Sequence, residues 1–247
     1  MLDQIDIILH RPQASENVGA VARAMKNFGL SRLVLVSPRR FEIDRAKKLA
    51  VHAGELLDEA RLCLTLDEAL APYALVIPTT ERALSSRPAP LSPRQAATRL
   101  VERAAHGRVA LLFGEEARGL ANELIGRFPD YSSIPSAPDR RSLNLAQAVL
   151  LYAWEIYQES QLAPPLERAK PPREKDAPAP LALVVRLRER SRRLLLANGF
   201  LNPQEPDRAL DELLRLVQRA QPSERELEIL LAALAQVERT STVLPPS

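Results

Sequence analysis

Short apolar runs rich in β-branched residues recur along the first 160 residues, and each is followed by a stretch with helical spacing. The runs are IDIIL (5–9), RLVLV (32–36), ALVIP (74–78) and VALLF (109–113). Helical patterns fall between them near 17–28, 44–52, 66–71, 93–105 and 119–126. A strand apolar on both faces must be covered on both, and strand–helix alternation supplies that cover. The expected fold class is therefore α/β, a parallel sheet with helices on both faces. A fifth strand is expected at YSSIP (131–135), followed by a long helix from Leu143 to about Ser160.

The pattern then breaks. Residues 161–180 carry PP twice and then PAP among scattered charges, the composition of a semi-rigid linker. Three helical patterns follow at 181–197, 207–220 and 223–240, with Gly199 placed to stop the first and Ser223 with Glu226 forming a capping box on the last. Leu210, Leu213, Leu214 and Val217 form one apolar stripe; Leu227, Leu230, Leu231 and Leu234 form another. The division expected is a first domain over 1–160, a linker over 161–180 and a small helical appendage over 181–247.

Lysine and arginine outnumber aspartate and glutamate by 9 to 4 in residues 161–193, against 20 to 19 before and 5 to 8 after. The local excess includes Arg186, Arg188, Arg190, Arg192 and Arg193, and it suits either a phosphate-binding surface or a solvated helix face. Cys63 is the only cysteine and falls in what reads as a helical context, so an internal disulfide and a multi-thiolate zinc site are both excluded. Met1 to Leu9 reads as a short amphipathic strand, not a signal peptide, and no apolar run reaches the roughly 20 residues of a membrane span. A cytoplasmic protein without a membrane partner is the expectation.

Four segments carry candidate chemistry. In PQASENVGAVARAMKNFG (12–29), Val18, Val21, Ala22, Met25 and Phe28 share a face, while Gly19, Arg23 and Lys26 share another. A glycine early in a helix suggests close approach of a ligand, and Arg23 suits a phosphate. In IPTTERALSSRP (77–88), two hydroxyls and an arginine stand at a strand's carboxyl end, where open parallel sheets bind ligands. In FGEEARGL (113–120) and IPSAPDRRSLNLAQA (134–148), a strand runs into a turn and then a helix. There Gly114 would admit a ligand against the backbone, Gly119 opens a helix, and Glu116 accepts from a ligand amine or fixes the loop. Ser142 is the expected cap of the long helix, and Asn144 a bridge to a neighbouring loop. None of these is the G-x-G-x-x-G of a dinucleotide site or a P-loop, which points away from NAD and ATP.

Taken together, NVGAVAR (17–23), FGEEARGL and IPSAPDRRSLNLAQA resemble the three motifs of the SPOUT-class RNA ribose 2′-O-methyltransferases, nearest to the TrmJ-type tRNA methyltransferases that modify nucleotide 32 of the anticodon loop. The resemblance extends through the linker to LLLANGFLNPQ and RLVQRAQPSERELEILLAAL. It implies a sheet whose C-terminal part is threaded into a trefoil knot, a homodimer, and S-adenosyl-L-methionine as cofactor with no metal. The cofactor residues it implies are Thr79, Thr80, Glu81, Gly114, Glu116, Ile134, Arg141, Ser142 and Leu143. Arg23, with Asn17, Ser142 and Asn144, carries the catalytic expectation, and Arg23, Arg82, Arg186, Arg190 and Arg193 the contacts to substrate tRNA. Arg140 and Arg141 replace an expected tyrosine and serine, and Pro78 an expected glycine. The rival readings are methylation of ribosomal RNA or another tRNA position, an inert RNA-binding protein of the same fold, and a nicotinamide-dependent enzyme.

Overall fold

The structure, a computed structural model, describes residues 1–81, 83–85, 87–137, 142–162 and 178–241. They form two compact units, divided between residues 169 and 170.

The first unit is built on six parallel strands: β1 (Ile5–His10), β2 (Arg32–Val36), β3 (Arg61–Cys63), β4 (Leu75–Thr80), β5 (Val109–Phe113) and β6 (Ser132–Ser133). Their order across the sheet is β3-β2-β1-β5-β4-β6. Ile7 lies between Leu33 and Leu111 in register, and Ile5, Ile7, Ile8 and Leu9 are wholly buried. β1 is therefore central and covered on both faces, as its unbroken apolar run requires.

Helices connect the strands: α1 (Ser15–Asn27), α2 (Ile43–Leu49), α3 (Gly54–Asp58), α4 (Leu66–Leu70), α5 (Pro93–Ala104), α6 (Asn122–Gly126) and α7 (Leu145–Leu162). α7 packs on both α1 and α5. Val18, Val21, Ala22 and Met25 are buried along α1, the face its spacing marks out. Ser92 and Gln95 cap α5 reciprocally, with Pro93 at the first helical position, where its missing N–H costs nothing.

β6 is paired along both of its edges. Thr79 and Thr80 pair with Ser132 and Ser133 along one edge of that strand. Along its other edge, Leu91 donates to the Tyr131 carbonyl at 2.9 Å and accepts from Ser133 N–H at 3.0 Å. β6 thus lies between the end of β4 on one edge and Leu91 on the other. Pro78 is tolerated in β4 because it lies opposite β5 alone, one residue before the pairing with β6 begins.

The second unit holds α8 (Leu181–Ala197), α9 (Pro206–Arg219) and α10 (Glu224–Ser241) around Leu183, Val184, Leu187, Leu201, Leu210, Leu214, Leu227 and Leu231. Gly199 follows α8 with φ +77°, the left-handed geometry that ends a helix. Ser223 N–H donates to Glu226 at 2.7 Å and the Ser223 hydroxyl accepts from Glu226 N–H at 3.3 Å, closing the anticipated capping box. Of the two leucine stripes, Leu213 and Leu230 stay about 40% exposed, so each stripe is narrower than its spacing suggests.

Several local expectations are corrected. Cys63 sits buried in strand β3, not in a helix. β3 and α3 fall where no element was expected. Leu2–Gln4 form a single 3₁₀ turn ahead of β1. The expected strand 131–135 contracts to two residues, and the helix expected from Gly119 starts at Asn122.

Candidate active site

Parallel strands end at one edge of the sheet, and the residues expected to hold the cofactor gather there. A cavity of about 420 Å³ opens beyond β4 and β5. Thr79, Thr80 and Glu81 line it from the end of β4, Gly114 and Glu116 from the turn after β5, Ile134 from beyond β6, and Ser142 and Leu143 from the approach to α7. All the described residues expected to hold the cofactor are thus brought together. Arg82, Arg140 and Arg141 lie outside the described residues.

Phe113, Leu120, Leu145 and Tyr152 add apolar wall. The Tyr152 hydroxyl donates to Ser132 Oγ at 2.8 Å, and Ser132 donates to the Leu91 carbonyl at 2.8 Å, tying α7 to β6 beside the cavity. Burial pushes the Tyr152 phenol upward, and the bond to Ser132 only partly opposes it. Tyr152 therefore stays a neutral donor.

Two glycines have a different purpose from the one their positions suggest. A Cβ on Gly19 would lie 1.9 Å from the Ala46 carbonyl oxygen, so this glycine lets α1 meet the backbone of α2. No ligand is needed to explain it. A Cβ on Gly114 would come within 2.2–2.5 Å of Gly119 and Leu120. Gly114 does border the cavity, but its smallness serves the closing of the chain's own loop, helped by Gly119 at φ +64°. Gly119 is a turn residue, not the start of a helix.

Glu116 fixes that loop to the start of α1. Its carboxylate accepts from Gln13 N–H at 2.9 Å, Ala14 N–H at 3.3 Å and Asn17 Nδ2 at 3.2 Å. Free N–H groups at a helix start carry partial positive charge, which a carboxylate complements. Asn17 Oδ1 in turn accepts from Asn144 Nδ2 at 3.1 Å, and Asn144 Oδ1 accepts from Ala146 N–H at 2.9 Å. Asn144, not Ser142, is therefore the cap of α7, and it bridges to a side chain instead of a loop backbone. One polar relay thus joins segments about 100 residues apart in sequence, and it needs both amides of Asn17 and Asn144.

Sequence reasoning passed over Glu115, Arg11 and Gln13. Glu115 is 9% exposed and pairs with Arg11 at 3.2 Å while accepting from Gln13 Nε2 at 3.2 Å. The adjacent glutamates in GEE were the available signal, since neighbouring side chains in an extended turn project oppositely.

Arg23 stands apart from the cavity lining. It is exposed on α1 and has no hydrogen-bond or ion-pair partner among the described residues. Lys26, on the same face, is engaged by Glu55. In the second unit, Arg190 bonds the Leu231 carbonyl at 3.0 Å and pairs with Glu238 at 3.0 Å, and Arg193 lies 3.6 Å from Glu238 while 71% exposed. Arg188 and Arg192 pair with Asp207. Only Arg186 of this series is exposed without a partner among the described residues. Much of the basic excess is thus neutralised within the bundle. Among the described residues no helix is long and apolar enough to cross a membrane.

Comparison with known proteins follows this geometry. Residues 4–154 match the model of the SpoU rRNA Methylase family, and residues 184–244 match that of the tRNA methyltransferase TrmJ C-terminal domain. A tRNA (cytidine/uridine-2′-O-)-methyltransferase TrmJ of Cronobacter sakazakii is 36% identical over 99% of this chain and 100% of its own length. The crystal structure of TrmJ from Z. mobilis superposes with a TM-score of 0.80 at 33% identity, covering 94% of this chain and 98% of that one. A structure concerned with 2-OH methylation of C/U34 on tRNA gives a TM-score of 0.53 at 29% identity, covering 66% of this chain and 100% of that one. With the parallel sheet, the cavity at its carboxyl edge and both units matched, the chain belongs to the SpoU methylase family and, within it, to the TrmJ methyltransferases.

Proposed function

We propose that this chain transfers a methyl group from S-adenosylmethionine to the ribose 2′-hydroxyl of a cytidine or uridine in tRNA, at position 32 of the anticodon loop. The carrying observation is that likeness to proteins of this named activity runs through both units, including the C-terminal helices. Methylation at nucleotide 34 is the second reading, favoured by the C/U34-related structure, but that likeness covers only two thirds of the chain.

The cavity suits the cofactor. Its volume is in the range of small-molecule pockets, with apolar wall for an adenine and hydroxyls for a ribose and an amino acid. Phe113, Leu120, Ile134, Leu143 and Leu145 would hold the base region, and Thr79, Thr80 and Ser142 the polar ends. When bound, the cofactor supplies an electrophilic methyl group on a sulfonium, open to in-line attack by the 2′-oxygen.

The residues of the chain supply alignment and charge. Glu116, Asn17 and Asn144 hold the post-β5 loop, α1 and α7 in fixed relation, which is what near-contact positioning of reactants requires. Arg23 binds the phosphate beside the target ribose and stabilises the developing alkoxide. A guanidinium offers only donors, so it does not take the hydroxyl proton; an RNA phosphate or water does. Arg23 lies outside the cavity lining, and Leu150, Leu151 and Trp154 on α7 are exposed, an apolar face suited to a second copy of the chain. We place Arg186 and the exposed guanidinium of Arg193 against tRNA, and assign Arg190 mainly to the bundle.

The test is methyl transfer from labelled S-adenosylmethionine to an unmodified tRNA transcript, with the modified nucleotide mapped. Arg23→Lys is expected to lose most turnover while keeping cofactor affinity, because an ammonium cannot form the planar fork. Near-normal turnover in that variant would overturn the bidentate role.

A further inference from the structure

Beyond the cavity, one stretch of the same sheet edge combines backbone strain with surplus positive charge. Arg11, Ser37 and Arg40 have φ of +56°, +45° and +50°. Left-handed geometry at non-glycine residues persists only when the surroundings enforce it, and it concentrates at functional positions. Here the surroundings are explicit. Arg11 N–H donates to the Val36 carbonyl at 2.8 Å, Arg39 N–H to the Pro12 carbonyl at 2.9 Å, and Ser37 N–H to the Cys63 carbonyl at 2.9 Å. Glu42 N–H donates to Ser15 Oγ at 2.9 Å, fastening the far end of the turn to the start of α1.

This turn is mechanically close to the site. Pro12 accepts from Arg39, and its neighbour Gln13 donates to Glu116, which lines the cavity. The turn and the cavity wall are therefore separated by one short loop.

Its charge is unbalanced. Residues 37–49 contain five lysines and arginines against two carboxylates. Glu42 is occupied by Arg45 at 3.0 Å, and the Asp58 carboxylate by Lys47 at 2.7 Å. Asp44 remains on the surface of α2. Arg39 and Arg40 are exposed and have no ion-pair or side-chain hydrogen-bond partner among the described residues. Two uncompensated guanidiniums on a turn whose backbone is already held make an anion site, since a phosphate need order only the side chains and not the loop.

We propose that the Arg39–Arg40 turn is a phosphate-binding subsite for the RNA strand that enters the active site, fixing the register of the nucleotides beside the target ribose. The inference rests on the functional reading above.

Arg40→Gly tests it sharply, because glycine adopts positive φ without a Cβ penalty. If Arg40 is held there for its charge, the variant should melt at the same or a higher temperature yet bind tRNA more weakly. Affinity for an unmodified tRNA transcript would be measured across salt concentrations for the full-length wild type, Arg40→Gly, Arg39→Gln and the double variant. The slope of log affinity against log salt should fall by about 0.7–0.9 per arginine removed. Affinity for S-adenosylmethionine should be unchanged, and the loss of methylation should appear in KM for tRNA more than in kcat.

A methylating wild type whose variants keep the same tRNA affinity and salt slope would overturn the subsite alone. A fall in melting temperature with unchanged RNA binding would do the same, making Arg40 a structural residue. A wild type that neither binds nor methylates the transcript would overturn the functional reading and the subsite with it.

Discussion

The two edges of the sheet each centre on a carboxylate that ties its own segment to distant ones, but the two carboxylates live in opposite surroundings. At the amino edge, Asp6 is 1% exposed and accepts from Tyr73 Oη at 2.6 Å, Arg108 at 2.6 Å and Arg32 at 2.9 Å. Burial and the neighbouring Asp6 push the Tyr73 phenol upward, so Tyr73 remains a donor. At the carboxyl edge, Glu116 borders an open cavity and accepts from neutral backbone and amide N–H groups. A buried charge with charged partners locks strands together. A half-buried charge with neutral partners sets the position of loops, at lower cost if it is disturbed.

Asp6→Ala should sharpen that contrast most. It strands Tyr73 Oη and two guanidiniums that remain partly exposed, so the loss belongs near the low end for breaking a buried pair, about 3 kcal/mol. Urea denaturation would read this as a lower midpoint. Cofactor affinity of the folded fraction should be intact, and a loss of affinity without a loss of stability would erase the division between edges.

The two glycines give the next test. Gly19→Ala forces α1 and α2 apart and should cost about 2 kcal/mol through overpacking, with no direct effect on cofactor binding. Gly114→Ala meets the backbone of the loop that walls the cavity, so it should lose both stability and S-adenosylmethionine affinity by calorimetry. If Gly19→Ala stays stable but loses the cofactor, its glycine faces a ligand after all.

Glu116→Gln should cost less in stability, about 1 kcal/mol, and more in function. Both oxygens of Glu116 accept, and glutamine would turn an amide NH₂ toward one of those donors. Turnover should fall while the melting temperature moves only a few degrees. A large stability loss would make Glu116 a second Asp6.

These residues also mark how far the sequence could be read. The strands β1, β2, β4 and β5 were legible because each is an apolar run rich in β-branched residues followed by helical spacing. β3 was not, because RLC is three residues long at the sheet edge with Leu62 61% exposed, which leaves no pattern. The cavity-lining residues were legible through motif resemblance, whereas Gly19 and Gly114 showed only that space was needed, not that backbone would fill it. The arginines of α8 read as a basic face because their partners Asp207 and Glu238 arrive only when α9 and α10 fold back.

The smallest effect expected separates the edges by pH. His10 ends β1 beside the site, and burial holds its pKa below the usual 6.5, aided by the Arg11 charge and opposed by Glu115. Well above 6.5 the imidazole is neutral whether folded or unfolded and contributes nothing to the pH dependence. As pH falls below 6.5, the unfolded chain takes up a proton that the folded chain binds more weakly, so stability declines. The decline ends once pH passes below the lowered folded value. His10→Gln should flatten this part of the stability–pH curve by removing the His10 titration, and it should do so without touching Asp6 at the other edge. An unchanged slope in that variant would mean that acid sensitivity between those limits arises elsewhere, and the carboxyl edge would lose its claim to be the pH-responsive end of the sheet.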